Sequence, residues 1–228
     1  DLNKPNSVSK SATPEMPEAV AKLVNRFAEQ RSTYMSGSYN ETQVRRDFID
    51  PFFKALGWDI DNENDYAEAY RDVIHEDMVM VGTTKKAPDY SFRIGGMRKF
   101  FVEAKKPSVS IKIDPRPAFQ LRRYGWSAKL PLSIVTDFEE FAVYDCTHKP
   151  DENHGPQKAR LHYFKYTEYA ENWGEIAGLF SKQAVMRGSF DRFAVAKKKG
   201  TTTVDEEFLA EIEKWRQWLA SNILENNT

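Results

Sequence analysis

Asp89, Glu103 and Lys105 are the residues whose types and spacing can carry chemistry in this chain. They lie in one stretch in which two apolar runs, Tyr90 to Ile94 and Phe100 to Val102, flank Gly95-Gly96. That pattern predicts a β-hairpin with a glycine turn. Glu103 and Lys105 are two positions apart on the second strand, so both project from one face. A three-residue loop, Gly95 to Met97, sets a register that places Asp89 directly opposite Glu103. Two carboxylates and an ammonium then meet at one end of a hairpin. Such a group suits a hard divalent cation and a phosphodiester: the carboxylates bind the cation and the amine steadies a hydroxide or developing charge. The competing reading is an exposed hairpin with a surface cross-strand ion pair, worth about 0.2–1 kcal/mol. Phe101 argues against it, because this large aromatic shares the face of Glu103 and Lys105.

The elements that must position these residues follow from periodicity. Pro17 to Met35 carries a helical stripe of Val20, Leu23, Val24 and Phe27. A second helix opens at Glu41, with Val44, Phe48, Phe52 and Leu56 on one face, Asn40 as N-cap, Gly57 as stop and Pro51 bending its middle. Residues 59–75 have a poor period, and Met78 to Val81 reads as a first strand. After the hairpin, Val109, Ile111 and Ile113 alternate as a further strand, and Ala118 to Ala128 is a short helix. Leu132 to Thr136 and Phe141 to Tyr144 are strands, 148–160 is loop, and Trp173 to Met186 is helical. The order predicts an α/β fold, a mixed central sheet flanked by helices with additional N- and C-terminal helices.

The whole chain sets the frame. Its 228 residues suffice for one sizeable domain, and 40% hydrophobic with 13% aromatic residues make it core-forming rather than disordered. Net charge is −1, so any nucleic-acid signal must be local. Lys85 to Lys129 holds 12 Lys and Arg against 3 Asp and Glu, whereas 137–175 holds 4 against 9. A basic segment around an acidic centre suits a phosphate-backbone enzyme, and equally a solvated face. The single cysteine, Cys146, excludes an internal disulfide framework and a four-cysteine zinc site. His75, His148, His154 and His162 lack metal spacing. No apolar run is long enough to span a membrane and the N-terminus has no signal pattern, so a reducing cytoplasm is the expected compartment.

Three blocks carry a resemblance: Glu41 to Asp59, Pro88 to Pro107, and Phe119 to Ser127. The hairpin resembles the core of the PD-(D/E)XK nuclease superfamily. The blocks together resemble the amino-terminal nuclease region of restriction enzymes that fuse cleavage to methylation, type IIG and more distantly type I. The resemblance spans residues 41–145. It implies Asp89 and Glu103 as metal ligands with the Ala104 carbonyl, and Lys105 as the residue that positions or deprotonates the attacking water. Glu41 becomes the acid of the first core helix. Gln120 and Tyr124 match a Gln-x-x-x-Tyr motif of RecB-like nucleases and share one helix face, where they brace the site or a phosphate. Arg122, Arg123, Tyr124 and Lys106 are the expected DNA contacts. Taken alone, Glu41 equally suits the helix macrodipole, and Gln120 with Tyr124 a plain helix surface.

Oxygen-only ligands favour Mg²⁺, with Mn²⁺ able to substitute, while Ca²⁺ should bind yet support cleavage poorly. The expected partners are double-stranded DNA and, in the same full-length chain, methyltransferase and target-recognition domains. Residues 1–15 read as a disordered leader, 16–196 as the endonuclease domain, and 197–228 as a linker and amphipathic connector helix. The expected activity is Mg²⁺-dependent DNA cleavage giving 5′-phosphate and 3′-hydroxyl ends. A RecB-like exonuclease and a cleavage-dead DNA-binding module are the alternatives.

Overall fold

The computed structural model describes residues 14–191 and Trp215. The leader expectation therefore falls almost wholly outside the described residues, as does the connector over 197–228 apart from Trp215. The described residues up to Phe190 group as one compact unit. Among the described residues no helix is long and apolar enough to cross a membrane.

Six strands form the central sheet: β1 (Val73–His75), β4 (Tyr90–Ile94), β5 (Met97–Ala104), β6 (Leu132–Thr136), β7 (Glu140–Asp145) and β8 (Arg160–Lys165), in that spatial order. All neighbours are antiparallel except β5 and β6, which are parallel. A parallel pair needs a crossover, and α5 (Pro115–Ser127) supplies it. This is the expected α/β architecture, a mixed sheet flanked by helices.

Strand alternation divides the core. On one face Phe101, Val135, Ala142 and Tyr144 pack with Ala118, Leu121 and Tyr124 of α5. A separate two-stranded ribbon, β2 (Val79–Val81) and β3 (Thr84–Lys86), adds Val79 and Val81 to that cluster. On the other face Phe100 stacks on Phe92 at 4.4 Å and meets Trp58, Phe53 and Phe180. Gly125 lets α5 lie close to the sheet, because a Cβ there would sit 2.5 Å from Cys146 Sγ. Burial of this kind is worth roughly 1.5–3 kcal/mol per large apolar side chain.

The N-terminal helices close the aromatic face. They are α1 (Glu18–Glu29), a short α2 (Arg31–Tyr34), and a longer rod made of α3 (Glu41–Val44), a π-helical stretch (Arg45–Ile49) and α4 (Asp50–Ala55). Asn40 caps the rod as expected, with a reciprocal pair of hydrogen bonds to Gln43. Gly57 ends it in the left-handed region at φ +89°. The irregularity expected at Pro51 takes the form of the π turn just before it. Pro51 has no N–H for the Asp47 carbonyl, and that carbonyl accepts from the Arg26 guanidinium instead. The C-terminal helical stretch is two helices, α6 (Tyr169–Phe180) and α7 (Lys182–Met186), separated by Ser181, which caps the second.

Three expectations are corrected. Val109 to Ile113 is not a strand but a turn-rich connection to α5. Its Ile111 and Lys112 amides donate to the Glu140 carboxylate, and only Ile111 is buried while Ile113 is exposed. The first strand is β1, inside the stretch that showed no period, and β8 begins where loop was expected to end. The hairpin turn has two residues, not three: Ile94 pairs with Met97 around Gly95 and Gly96, both at positive φ. A bulge between Phe92 and Arg93 then leaves Lys99 as an extra residue and restores the expected register from Phe92–Phe100 onward.

That bulge sets Arg93 opposite Arg98, a like-charge pair that would repel. Asp77, buried, accepts from Arg93 at 2.6 Å and from Arg98 at 2.7 and 2.8 Å. Burial alone would raise its pKa, but the two arginines hold it down at about 2. A depressed acid contributes stability that is complete above its unfolded value near pH 4 and is lost as pH falls toward 2. Wild type should therefore exceed Asp77→Asn by about 2 kcal/mol at neutral pH. The two should converge near pH 2 in urea melts taken across that range.

Candidate active site

Asp89, Glu103 and Lys105 converge at the end of the hairpin opposite the glycine turn. The ladder runs to Tyr90–Val102, and one step further Asp89 faces Glu103. Asp89 Oδ2 there accepts the Ala104 amide at 2.7 Å, so the aspartate caps the strand end with its own carboxylate. Lys105 remains tied to the sheet by its amide, which donates to the Thr136 carbonyl. Because the chain is regular from Phe100 onward, Phe101, Glu103 and Lys105 share the α5 face, and the exposed-hairpin alternative fails: Glu103 is only 3% exposed.

The two oxygens of Glu103 have unequal surroundings. Oε1 accepts from Lys105 Nζ at 2.7 Å and from Gln120 Nε2 at 2.5 Å. Oε2 is buried without a hydrogen-bond partner among the described residues. Burial first, then the nearby Asp89 charge, pushes the Glu103 carboxyl up to about 7, with Lys105 opposing them. Lys105 is shifted up although burial opposes this, because Glu103, Glu41 and Asp89 surround it with negative charge. Its ammonium also lies 3.9 Å from Glu41, the half-exposed first residue of α3.

Gln120 and Tyr124 lie one turn apart on α5, and Gln120 Nε2 also donates to Tyr124 Oη at 3.1 Å. Tyr124 is buried, so it braces Gln120 and does not fit the expected DNA contact. Arg122 departs further from expectation. It is 2% exposed, in the field of Cys146 and Tyr144, and burial lowers its pKa. A buried guanidinium on that face cannot reach a phosphate. Arg123 is half-buried over the Phe119 ring, and Lys106, next after Lys105, is also half-buried. Cys146 is a buried thiol pushed up to about 12 by burial.

Arg45 was missed in the sequence. Its Nη1 lies 3.5 Å from Asp89 Oδ1, its Nη2 lies 3.0 Å from His75 Nδ1, and its guanidinium lies over the Tyr90 ring at 4.8 Å. It also lines a cavity of about 710 Å³ with Thr42, Arg46, Asp50, His75 and Glu76. The available signal was its spacing, one helical turn beyond Glu41. Among the described residues no group of three or more His, Cys, Asp or Glu forms a metal cage. Mg²⁺ does not require one, since it commonly binds one or two carboxylates plus water and substrate phosphate. Glu103, whose Oε2 has no hydrogen-bond partner among the described residues, and the neighbouring Asp89 fit such an ion.

Comparison with known proteins agrees with the resemblance read from the sequence. Residues 72–152, from β1 through β7, match the family described as the type I restriction enzyme R protein N terminus. The chain is also 38% identical over 212 residues to the type II restriction enzyme and methyltransferase RM.Eco57I of Escherichia coli. That alignment takes in 91% of this chain and 21% of the relative, so the chain spans about a fifth of the relative's length. Both matches are to restriction enzymes. No solved structure gives a significant match.

The Asp89 carboxylate has a structural duty as well as a candidate chemical one. Asp89→Ala should release the Ala104 amide, seen as faster hydrogen exchange at that residue and a loss of about 1–3 kcal/mol. Asp89→Asn keeps an acceptor oxygen and should retain protection, so equal exchange rates in the two variants would contradict the capping role.

Proposed function

We propose that this chain is the DNA-cleaving domain of a restriction–modification enzyme, a Mg²⁺-dependent endonuclease leaving 5′-phosphate and 3′-hydroxyl ends. The observation that carries this reading is the convergence of Asp89 and Lys105 on buried Glu103, whose Oε1 accepts from Lys105 and whose Oε2 has no hydrogen-bond partner among the described residues. The matches to restriction enzymes support it independently.

Asp89 and Glu103 would hold the cation, with the Ala104 carbonyl as a third oxygen and Glu41 near enough to take part through water. When bound, the cation acts as a Lewis acid on the phosphoryl oxygens and the leaving oxygen and makes water a better nucleophile. Lys105, kept protonated by the surrounding carboxylates, orients the attacking water and stabilises charge on the phosphate. Gln120 fixes the Glu103 rotamer, and Tyr124 fixes Gln120. Lys106 and Arg123 are the remaining DNA contacts of the expected set, supplying backbone affinity without sequence reading. The relative's printed name joins a restriction enzyme to a methyltransferase, which supports methyltransferase and target-recognition domains in the same full-length chain.

Asp89→Asn, Glu103→Gln and Lys105→Ala should each lower plasmid cleavage in Mg²⁺ by at least about a hundredfold, a loss of roughly 2.7 kcal/mol in transition-state stabilisation. Ca²⁺ should protect the fold against heat without supporting cleavage. Covalently closed plasmid separates an endonuclease from the exonuclease that Gln120 and Tyr124 also suit. Cutting of linear DNA alone would favour the exonuclease, and cleavage retained by any of the three variants would refute the site.

A further inference from the structure

Arg45 is half-buried beside a candidate metal ligand, and none of its partners engages its donors as a bidentate pair. A guanidinium carries five N–H donors and no acceptor, so His75 Nδ1 must be the acceptor in their 3.0 Å contact. His75 is held neutral, its pKa lowered by burial and by Arg45 itself. The Tyr90 ring covers the guanidinium face, and the Tyr90 hydroxyl, which donates to Asp50 at 2.7 Å, also accepts from Arg45. Asp50 adds attraction, and the direct ion pair is with Asp89 Oδ1 at 3.5 Å, single and longer than a bidentate arginine–carboxylate pair. Two cations cannot share that carboxylate at low cost. A divalent ion on Asp89 would displace the guanidinium toward the 710 Å³ cavity that Arg45 already lines.

We propose that Arg45 is a DNA-phosphate ligand of this site, held on Asp89 until a divalent cation takes the carboxylate and a backbone phosphate takes the guanidinium. The inference rests on the nuclease reading above and adds a residue and an exchange to it. The planar fork suits a phosphate, for which five donors on a half-buried, aromatic-backed group are pre-organised. The π turn starts at Arg45, three residues before Phe48 enters the aromatic core, so the backbone carrying the guanidinium is anchored while its end remains accessible. Arg46, exposed on the same cavity, offers a second positive charge along the path.

The test uses the full-length protein, Ca²⁺ as the cation, and a duplex that wild type cleaves in Mg²⁺. Arg45→Gln should weaken duplex binding about tenfold and reduce the slope of log affinity against log salt by about one. In DNA-free calorimetry the same variant should bind Ca²⁺ at least as tightly as wild type, because a competing cation has left Asp89. Unchanged duplex affinity and salt slope would overturn the assignment, as would weaker Ca²⁺ binding without DNA. Should thermal melting show Arg45→Gln unfolded, Arg45→Lys decides. It keeps the charge but not the fork, so a loss of about threefold or more supports the proposal and no loss overturns it. Failure of the nuclease reading would look different: wild type would not cleave, or Asp89→Asn would cleave as wild type does.

Discussion

A carboxylate buried in a sheet is expensive unless each oxygen is served, and Glu103 has one oxygen served twice and the other not at all. The surrounding elements act on that imbalance. Strand β5 projects Glu103 and Lys105 to the same side, α5 lies across that side with Gln120 over the carboxylate, and Gly125 lets the helix come close enough to reach it. The hairpin partner delivers Asp89 to the same end, and α3 delivers Glu41 to the outer side of Lys105. Three acids, Glu41, Asp89 and Glu103, thus meet two cations, Lys105 and Arg45, at a half-buried rim, where burial and the neighbouring Asp89 charge raise the Glu103 carboxyl.

Most of the site was legible because its geometry depends on strand parity, which sequence spacing fixes. Glu103 and Lys105 are two apart on a regular strand, and Gln120 and Tyr124 are four apart on a regular helix. The register of Asp89 was read correctly through a wrong turn: a two-residue turn and a bulge consume the same number of residues as a three-residue loop. What escaped reading depended on long-range partners. Val109, Ile111 and Ile113 alternate like a strand, but the buried Glu140 carboxylate captures two of that segment's amides and the chain must travel to α5. Strand β1 lies in an acidic, aperiodic stretch and gains its pairing only from β4. Arg45 had the spacing of a partner to Glu41, yet its meaning comes from Asp89 and His75, which are distant in sequence.

Charge counting needed the same correction. The basic stretch from Lys85 to Lys129 suggested a phosphate-binding face, but several of its cations are used inside the fold. Arg93 and Arg98 neutralise Asp77, and Arg122 is buried. The cations left half-buried or exposed, among them Lys85, Lys86, Lys106, Lys112 and Arg123, precede and follow the Asp89–Glu103 pair in the chain. A count over sequence therefore overstated the available positive charge.

The proline at position 51 links the helix to the site in a way that propensity alone would not suggest. Proline in a helix interior normally costs about 3 kcal/mol or more, through a lost hydrogen bond and a clash with the preceding turn. Here the preceding turn is widened into a π segment, and Arg26 of α1 takes the freed Asp47 carbonyl. Tyr39 also binds the Asp47 side chain at 2.7 Å, so both ends of that residue are fixed. The widened turn starts at Arg45 and ends just before Asp50, the acceptor of the Tyr90 hydroxyl. Both residues thereby meet Tyr90, the neighbour of Asp89, from one irregular stretch of helix. A straight α-helix would advance by 100° per residue throughout and place one of them off that ring. The irregularity and the candidate site thus share residues, as π turns often do where function constrains a helix.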